Sequence, residues 1–359
     1  MAEPDDGLAA AWLAVSLVPE LRAGRFRERV RVGEIGLPEL GGDPELAAGL
    51  AAALGPAGEI VARLEAGDRV VTWADPLYPS ALREIADPPA ILFARGGLDA
   101  ISQPCIAIVG SRDASAYGLG VARELAESLG GMGITVVSGL ALGIDAAAHR
   151  GALASGGRTV AVLGAGIDVD YPRPNRRLRD EIPRAGTILS ELPPGTPPRK
   201  AHFPERNRLI SGLSQGVIVV EASLRSGSLL TARHALAQGR EIFAVPGPVV
   251  APRSRGPHLL LKSGAKLVET VDDVLMELPR LAAWTKARAA LERSLDDGPL
   301  LAAILAGAGT VDEIAAQLGR NVPELWSDLL ELELRGRLTR GPGGRFSANR
   351  STKALSQMS

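Results

Sequence analysis

Cys105-Ile-Ala-Ile-Val-Gly110-Ser111-Arg112 decides the fold. Five apolar residues run without a polar interruption and stop at Gly-Ser, as in a strand buried on both faces that ends in a tight turn. A helical pattern follows. Leu119, Ala122, Leu125, Ala126 and Leu129 fall on one face, and Gly130-Gly131 ends the run. Strand, turn and helix in this order leave free backbone amides at the helix N-terminus, which suit a phosphate, and put Arg112 at the sheet edge where open α/β folds bind ligands. The dinucleotide fingerprint Gly-x-Gly-x-x-Gly is absent, since Gly118-Leu119-Gly120 lies in the helix region and Arg123 stands at the third glycine position. No dinucleotide or other cofactor is expected.

Working outward, the same texture repeats. Apolar strands are predicted at Arg69–Trp73, Ile91–Phe93, Ile134–Val137, Thr159–Leu163, Thr187–Leu189, Val217–Val220 and Ile242–Val245, most of them separated by helical segments. That alternation argues an α/β fold, a mostly parallel sheet covered by helices on both faces. Residues 1–65 carry helical patterns over Leu8–Leu21 and Pro44–Leu64, joined through Gly41-Gly42, and form a small helical domain ahead of the sheet domain at 66–280. The basic run Arg22, Arg25, Arg27, Arg29 and Arg31 reads as a solvated face. Residues 281–298 read as a linker helix. In 299–347, Thr310-Val-Asp-Glu313 is a capping box, Gly319 stops that helix, and Pro323 opens a second one through Leu334. Arg337–Arg340 and Arg345–Ser347 around Gly341 to Gly344 then suit a wing, giving a winged helix.

Composition narrows the function. The net charge of -1 announces no polyanion binder, yet only five of the 40 basic residues are lysine, and arginine is the side chain suited to bidentate phosphate contact. Local placement must decide. The single cysteine, Cys105, lies in a predicted buried strand, so neither a disulfide framework nor a cysteine metal site is expected. Leu8–Val18 is too short to span a bilayer, and the acidic start Glu3-Pro-Asp-Asp6 lacks the basic region of a signal peptide. A soluble, cytoplasmic protein is the expectation.

The C-terminal ends of the predicted strands carry the chemistry. One runs into Ser138-Gly139-Leu-Ala-Leu-Gly143-Ile-Asp145, a glycine-rich bend opening a helix on which Asp145 and His149 share a face. The next leads through Gly164-Ala-Gly166 to Asp170-Tyr171-Pro172-Arg173-Pro174-Asn175-Arg176-Arg177, where three arginines flank a helix start. After Ser190-Glu191 comes Lys200-Ala-His202-Phe203-Pro204-Glu205-Arg206-Asn207-Arg208. Pro204 suits the first helical position, which would set Arg206 and Asn207 in the first turn beside the free amides. Cations there oppose the helix dipole, so their clustering asks for an anion. Phe203 admits two readings, a stacking surface for a base or a ring plugging the loop into the core. Glu221 ends a further strand, and Arg225-Ser226-Gly227-Ser228 opens another helix suited to phosphate. Together these turns make a basic groove along one sheet edge.

Gly110-Ser-Arg112, Ser138-Gly-Leu-Ala-Leu-Gly-Ile-Asp145, Phe203-Pro-Glu-Arg-Asn-Arg-Leu-Ile-Ser211 and Gly227-Ser-Leu-Leu-Thr-Ala-Arg233, followed by Gly239-Arg240 and Pro246-Gly247, resemble the DNA-processing protein A family, also called DprA or Smf. Tyr78-Pro79 and Asp87-Pro88-Pro89 look like its lead-in. The resemblance covers about residues 66 to 280 and implies an extended Rossmann-like domain, a small N-terminal helical (SAM-like) domain and a C-terminal winged helix. It implies a protein that binds single-stranded DNA without acting as an enzyme, protects incoming DNA in natural transformation, loads a RecA-type recombinase and forms a homodimer. By the same resemblance Arg112, Arg173, Lys200 and Phe203 are the expected strand contacts, and Arg206, Asn207 and Arg208 shape the groove. Gly110, Ser111, Ser138 and Gly139 complete the expected DNA-binding set. One departure is His258, which stands where the family usually has Asn.

Two enzymatic alternatives come from the same sheet edge. Related phosphoribohydrolases cleave nucleotides there, but their glycine turn is followed by a Glu, and Gly227-Ser-Leu-Leu-Thr231 continues instead as Ala232-Arg233-His234. A metal nuclease would draw on Asp145, Glu191 and Glu221, no two of which come from one closely spaced motif. The second helix of the winged-helix segment carries Glu324, Asp328, Glu331 and Glu333, which makes it a poor partner for phosphates and points to protein contact or regulation.

Overall fold

Short Val- and Ile-rich segments bury both faces only when helices cover a sheet from two sides, and the chain alternates accordingly. In the computed structural model, residues 6–21, 25–32, 38–40, 44–334, 338–341 and 344–348 are described, by backbone alone over 38–40, 290–297 and 348. Several readings fall outside them: the start from Glu3, Arg22, the Gly41-Gly42 joint, Arg337 and the centre of the Gly341 to Gly344 turn. The chain forms two compact units, Met1–Ala282 and Ala283–Ser359.

The first unit begins with α1 (Asp6–Leu17), α2 (Phe26–Arg29), the antiparallel ribbon β1 (Val30–Val32) and β2 (Pro38–Leu40), and α3 (Pro44–Val61). Next come β3 (Asp68–Thr72), α4 (Ser80–Arg83), β4 (Ile91–Gly96), α5 (Asp99–Ser102), β5 (Cys105–Val109), α6 (Ala116–Gly131), β6 (Thr135–Ser138) and α7 (Ile144–Ala154). The run continues through β7 (Thr159–Val162), α8 (Arg176–Ala185), β8 (Thr187–Ser190), α9 (His202–Leu213), β9 (Gly216–Val219) and α10 (Ser228–Ala237). It closes with β10 (Glu241–Ala244), α11 (Arg255–Lys262), β11 (Lys266–Leu267) and α12 (Val271–Glu277). Most predicted strands shift by one residue at an end. The ribbon and β11 carry no sequence signal of their own, being two or three residues long.

One nine-stranded sheet runs in the order β11-β10-β9-β5-β6-β7-β8-β4-β3. Strands β5 to β11 are parallel, and β3 and β4 are antiparallel additions at one edge. Alternate residues feed two cores. Cys105, Ala107, Val109, Val217 and Val219 meet Leu209, Ile210 and Leu213 of α9 on one face. Phe93, Ala161 and Ile188 meet Trp12 and Leu13 of α1 and Ile182 of α8 on the other. The N-terminal helices therefore share a core with the sheet, joined through Phe26, whose ring stands edge-on to Trp73 with centroids 5.2 Å apart. From β5 the chain winds through β6, β7 and β8 on one side, then returns through α9 to lay β9 on the other side of β5. That reversal opens a crevice beyond the carboxyl ends of β5 and β9.

The second unit contains α14 (Val311–Leu318), α15 (Val322–Leu334) and the antiparallel pair β12 (Leu338–Arg340) and β13 (Phe346–Ala348). Leu300 and Ile304, at the end of α13 (Pro279–Leu305), pack with Ile314, Leu325, Leu329 and Phe346. The expected capping box is present, with Glu313 N donating to Thr310 Oγ1 at 3.3 Å and Thr310 N donating to Glu313 Oε2 at 3.0 Å. Gly319 ends α14 in the left-handed region at φ 64°. The helix expected at 281–298 is longer, one continuous α13 that runs on into the core of this unit. No helix among the described residues is long and apolar enough to cross a membrane.

Candidate nucleic-acid interface

The site is built on backbone turns held by buried polar side chains. After β5, Gly110 and Ser111 turn the chain and Arg112 projects from it, exposed. Ser115 caps α6 by accepting from Gly118 N at 3.1 Å, and Glu221, at the end of β9, accepts from Ser115 N at 2.9 Å and from its hydroxyl. Thus the two strands of the crevice are tied across it.

After β6 the chain enters the glycine bend. Ser138 is fully buried and donates to Ile108 O at 2.7 Å, so its hydroxyl serves the sheet and is closed to a ligand. Leu140 adopts φ 56°, a conformation that a branched side chain rarely accepts. Asp145 and His149 hold it there. Asp145 Oδ2 accepts from Gly139 N at 3.2 Å and Ala141 N at 3.4 Å. His149 Nε2 accepts from Leu140 N at 3.3 Å, its Nδ1 meets Thr159 Oγ1 at 2.7 Å, and that hydroxyl donates to Val136 O at 2.7 Å. With the threonine proton spent on Val136, Nδ1 must carry the imidazole proton, and the ring is neutral. Burial first, then the charges of Arg206 and Arg150, push the His149 pKa down to about 3.

Arg206 lies under this bend. Its guanidinium donates to Gly139 O at 2.9 Å and to Val162 O, and it is only 7% exposed. A Cβ on Gly139 would stand 2.5 Å from that guanidinium, so any larger residue there would displace it. Burial lowers the Arg206 pKa to about 10, against the attraction of Asp145, so it stays charged at neutral pH. Burial raises the pKa of Asp145, and Arg206 opposes that rise. Sequence reasoning set Arg206 beside the helix N-terminus with its charge facing an anion, and the structure corrects this. Helix α9 begins at His202, two residues before Pro204, so Arg206 and Asn207 sit two positions further in, in the second turn, with their side chains buried.

The neighbours are committed as well. Asn207 Nδ2 donates to Gly227 O at 3.2 Å, tying α9 to the turn before α10. Arg208 donates to both oxygens of Glu191 at 2.7 and 2.8 Å and pairs with Asp87 at 3.0 Å. The Asp87-Pro88-Pro89 lead-in is thereby locked to α9, and Tyr78 closes it by donating to Pro89 O at 2.7 Å. Asp145, Glu191 and Glu221 are each engaged separately, and among the described residues no three His, Cys, Asp or Glu group as metal ligands. His258 meets Gly247 O through Nε2 at 3.0 Å, which pins the Pro246-Gly247 loop by a hydrogen bond from a ring instead of an amide.

What remains open to solvent is different in kind. Arg112, Lys200, Tyr171 and Phe203 line a cleft of about 700 Å³, with Ser223, Ser226, Gly227 and Thr231 across it. Phe203 is half-buried and rests against Gly164, where a Cβ would come within 2.9 Å of the ring. Tyr171 lies beside it, centroids 5.8 Å apart and planes tilted by 39°, while the Arg112 guanidinium stands 5.1 Å from the Phe203 centroid. Tyr171 was not singled out from sequence. One of only three tyrosines, in a run with arginines, it could have been noticed, but its partner is 32 positions away on another loop. Arg173 is exposed on the neighbouring turn outside the cleft lining, and Asn175 fastens that turn to the glycine bend by donating to Leu140 O at 2.9 Å and Ala141 O at 3.0 Å.

Residues 69–279 match the family model of DNA recombination-mediator protein A. The chain belongs to that family. Residues 285–344 match the DprA winged helix domain, in keeping with the second unit. Protein Smf of Escherichia coli is 45% identical over 278 residues, 74% of each chain. The X-ray structure of DNA processing protein A from Streptococcus pneumoniae superposes with a TM-score of 0.62 at 38% identity, over 76% of this chain and 94% of that one. The Helicobacter pylori protein, whose structure gave insight into a single-stranded DNA binding mode, has a TM-score of 0.54 at 31% identity, over 59% of this chain and 96% of that one. Family and extended Rossmann-like fold with a winged helix thus agree with the sequence reading.

Proposed function

We propose that this chain binds single-stranded DNA in the cleft beyond β5 and β9 without acting on it as an enzyme. The observation that carries the reading is the Tyr171–Phe203 ring pair, which shares an open cleft with Arg112 and Lys200. Aromatic faces stack bases whatever their identity, and flanking cations neutralise phosphates, a combination that suits a strand and not a duplex whose bases are already stacked. Of the expected contacts, Arg112, Lys200 and Phe203 are presented to a strand directly, and Gly110 and Ser111 offer backbone. Arg173 offers a phosphate contact on the rim, whereas Ser138, Gly139, Arg206, Asn207 and Arg208 act by shaping the cleft. Family membership extends the proposal to protecting incoming DNA in natural transformation and passing it to a RecA-type recombinase, with a homodimer as the acting form. Fluorescence anisotropy with labelled single and double strands of one sequence tests the core of it. Tighter binding of the single strand, falling with salt, is expected, and equal affinity for duplex would sink it. Nucleotides and labelled DNA incubated with Mg²⁺ should be recovered intact; release of a base or cleavage would turn the reading to an enzyme.

A further inference from the structure

The turn that presents Arg112 also carries Asp113, whose side chain is 90% exposed and lines the same cleft. An uncovered carboxylate there would repel the phosphates that Arg112 attracts. Arg253 covers it. From the 3-10 turn Pro252–Ser254, its guanidinium donates through Nε to Asp113 O and pairs through Nη2 with the Asp113 carboxylate. Its own backbone is anchored on the far side of the crevice. Ala222 N donates to Arg253 O at 2.7 Å and Gly256 N donates to Ala222 O at 2.8 Å, which fixes this turn to the end of β9. The loop leading to it is tied to α6 as well, since Tyr117 donates to Pro246 O at 2.9 Å. Arg253 therefore bridges the β9 side of the crevice to the Arg112 turn.

We infer that Arg253 is a positioning residue for the strand site, acting through Asp113; the inference rests on the single-strand reading above. It neutralises the one carboxylate that the turn exposes to the cleft. An ion pair this exposed adds little to folding stability. Its effect is on the local field that an approaching phosphate meets, where an uncompensated charge of the wrong sign lowers affinity.

A double-mutant cycle on the full chain, read by anisotropy with a short oligothymidine strand, tests it. Arg253→Ala should weaken binding by about three- to tenfold, as expected for exposing one like charge beside a phosphate site. In the Asp113→Ala background the same substitution should change affinity by less than about twofold, because the charge it masks is gone. An equal loss in both backgrounds would make Arg253 a direct phosphate contact and overturn the inference, as would no loss in either. So would a loss that follows a fall in melting temperature, since Arg253 would then be holding the fold. Absence of strand binding by the wild-type chain, or unchanged binding by Arg112→Ala, would take down the single-strand reading itself.

Discussion

Two populations of cation meet at this site, and burial separates them. Arg206 and Arg208 are consumed by carbonyls and carboxylates inside the fold, whereas Arg112 and Lys200 are exposed on loops. Removing an exposed cation should remove one phosphate contact, so Arg112→Ala and Lys200→Ala should each weaken strand binding and flatten the salt slope by about 0.7. Phe203 behaves differently because its ring is uncharged. Phe203→Ala should weaken binding by about 1–3 kcal/mol, the usual worth of one stacked base, and leave the slope nearly unchanged. Its packing on Gly164 gives the ring a share in the fold too, so melting temperature must be followed on the same protein. If the folded fraction of Phe203→Ala binds normally, the ring is a plug and stacking leaves the mechanism.

Helix α9 shows how much of the site was legible and where legibility stopped. Its buried stripe of Leu209, Ile210 and Leu213 was readable from spacing, and so was the glycine bend after β6, because apolar runs and glycines are local signals. The start of the helix was not. Pro204 suits a first position, yet it tolerates the third, where no intrahelical donor is needed either, and the chain begins the helix at His202. Nor did sequence distinguish a cation that faces a ligand from one that braces two loops, since Arg208 finds Asp87 and Glu191 only after the sheet has formed. Arg208→Ala should lower stability by about 3 kcal/mol, the lower end for breaking a buried pair because Glu191 is partly solvated. Thermal or urea unfolding measures this. Its folded fraction should keep the wild-type salt slope, and a flattened slope would make Arg208 a phosphate contact.

At the scale of the whole molecule, a net charge of -1 conceals a division of labour. The cations of the cleft belong to the first unit, while α15 in the second carries Glu324, Asp328, Glu331 and Glu333. A chain truncated after Ala282 should therefore bind single strands with close to full affinity, as measured by anisotropy on the purified fragment. Loss of most binding in a folded fragment would place part of the strand site beyond that residue.

The cleft floor, with Arg206 fastened to Gly139 and Val162, leaves only a few loop cations and two rings to respond when a strand arrives. The time course of binding follows from that. Charges act at a distance and rings only on contact, so the rate of arrival should carry most of the salt dependence. The residence time should answer instead to Tyr171 and Phe203. A strand would thus be caught by its backbone and kept by its bases, and whatever takes it over need only peel bases from two rings.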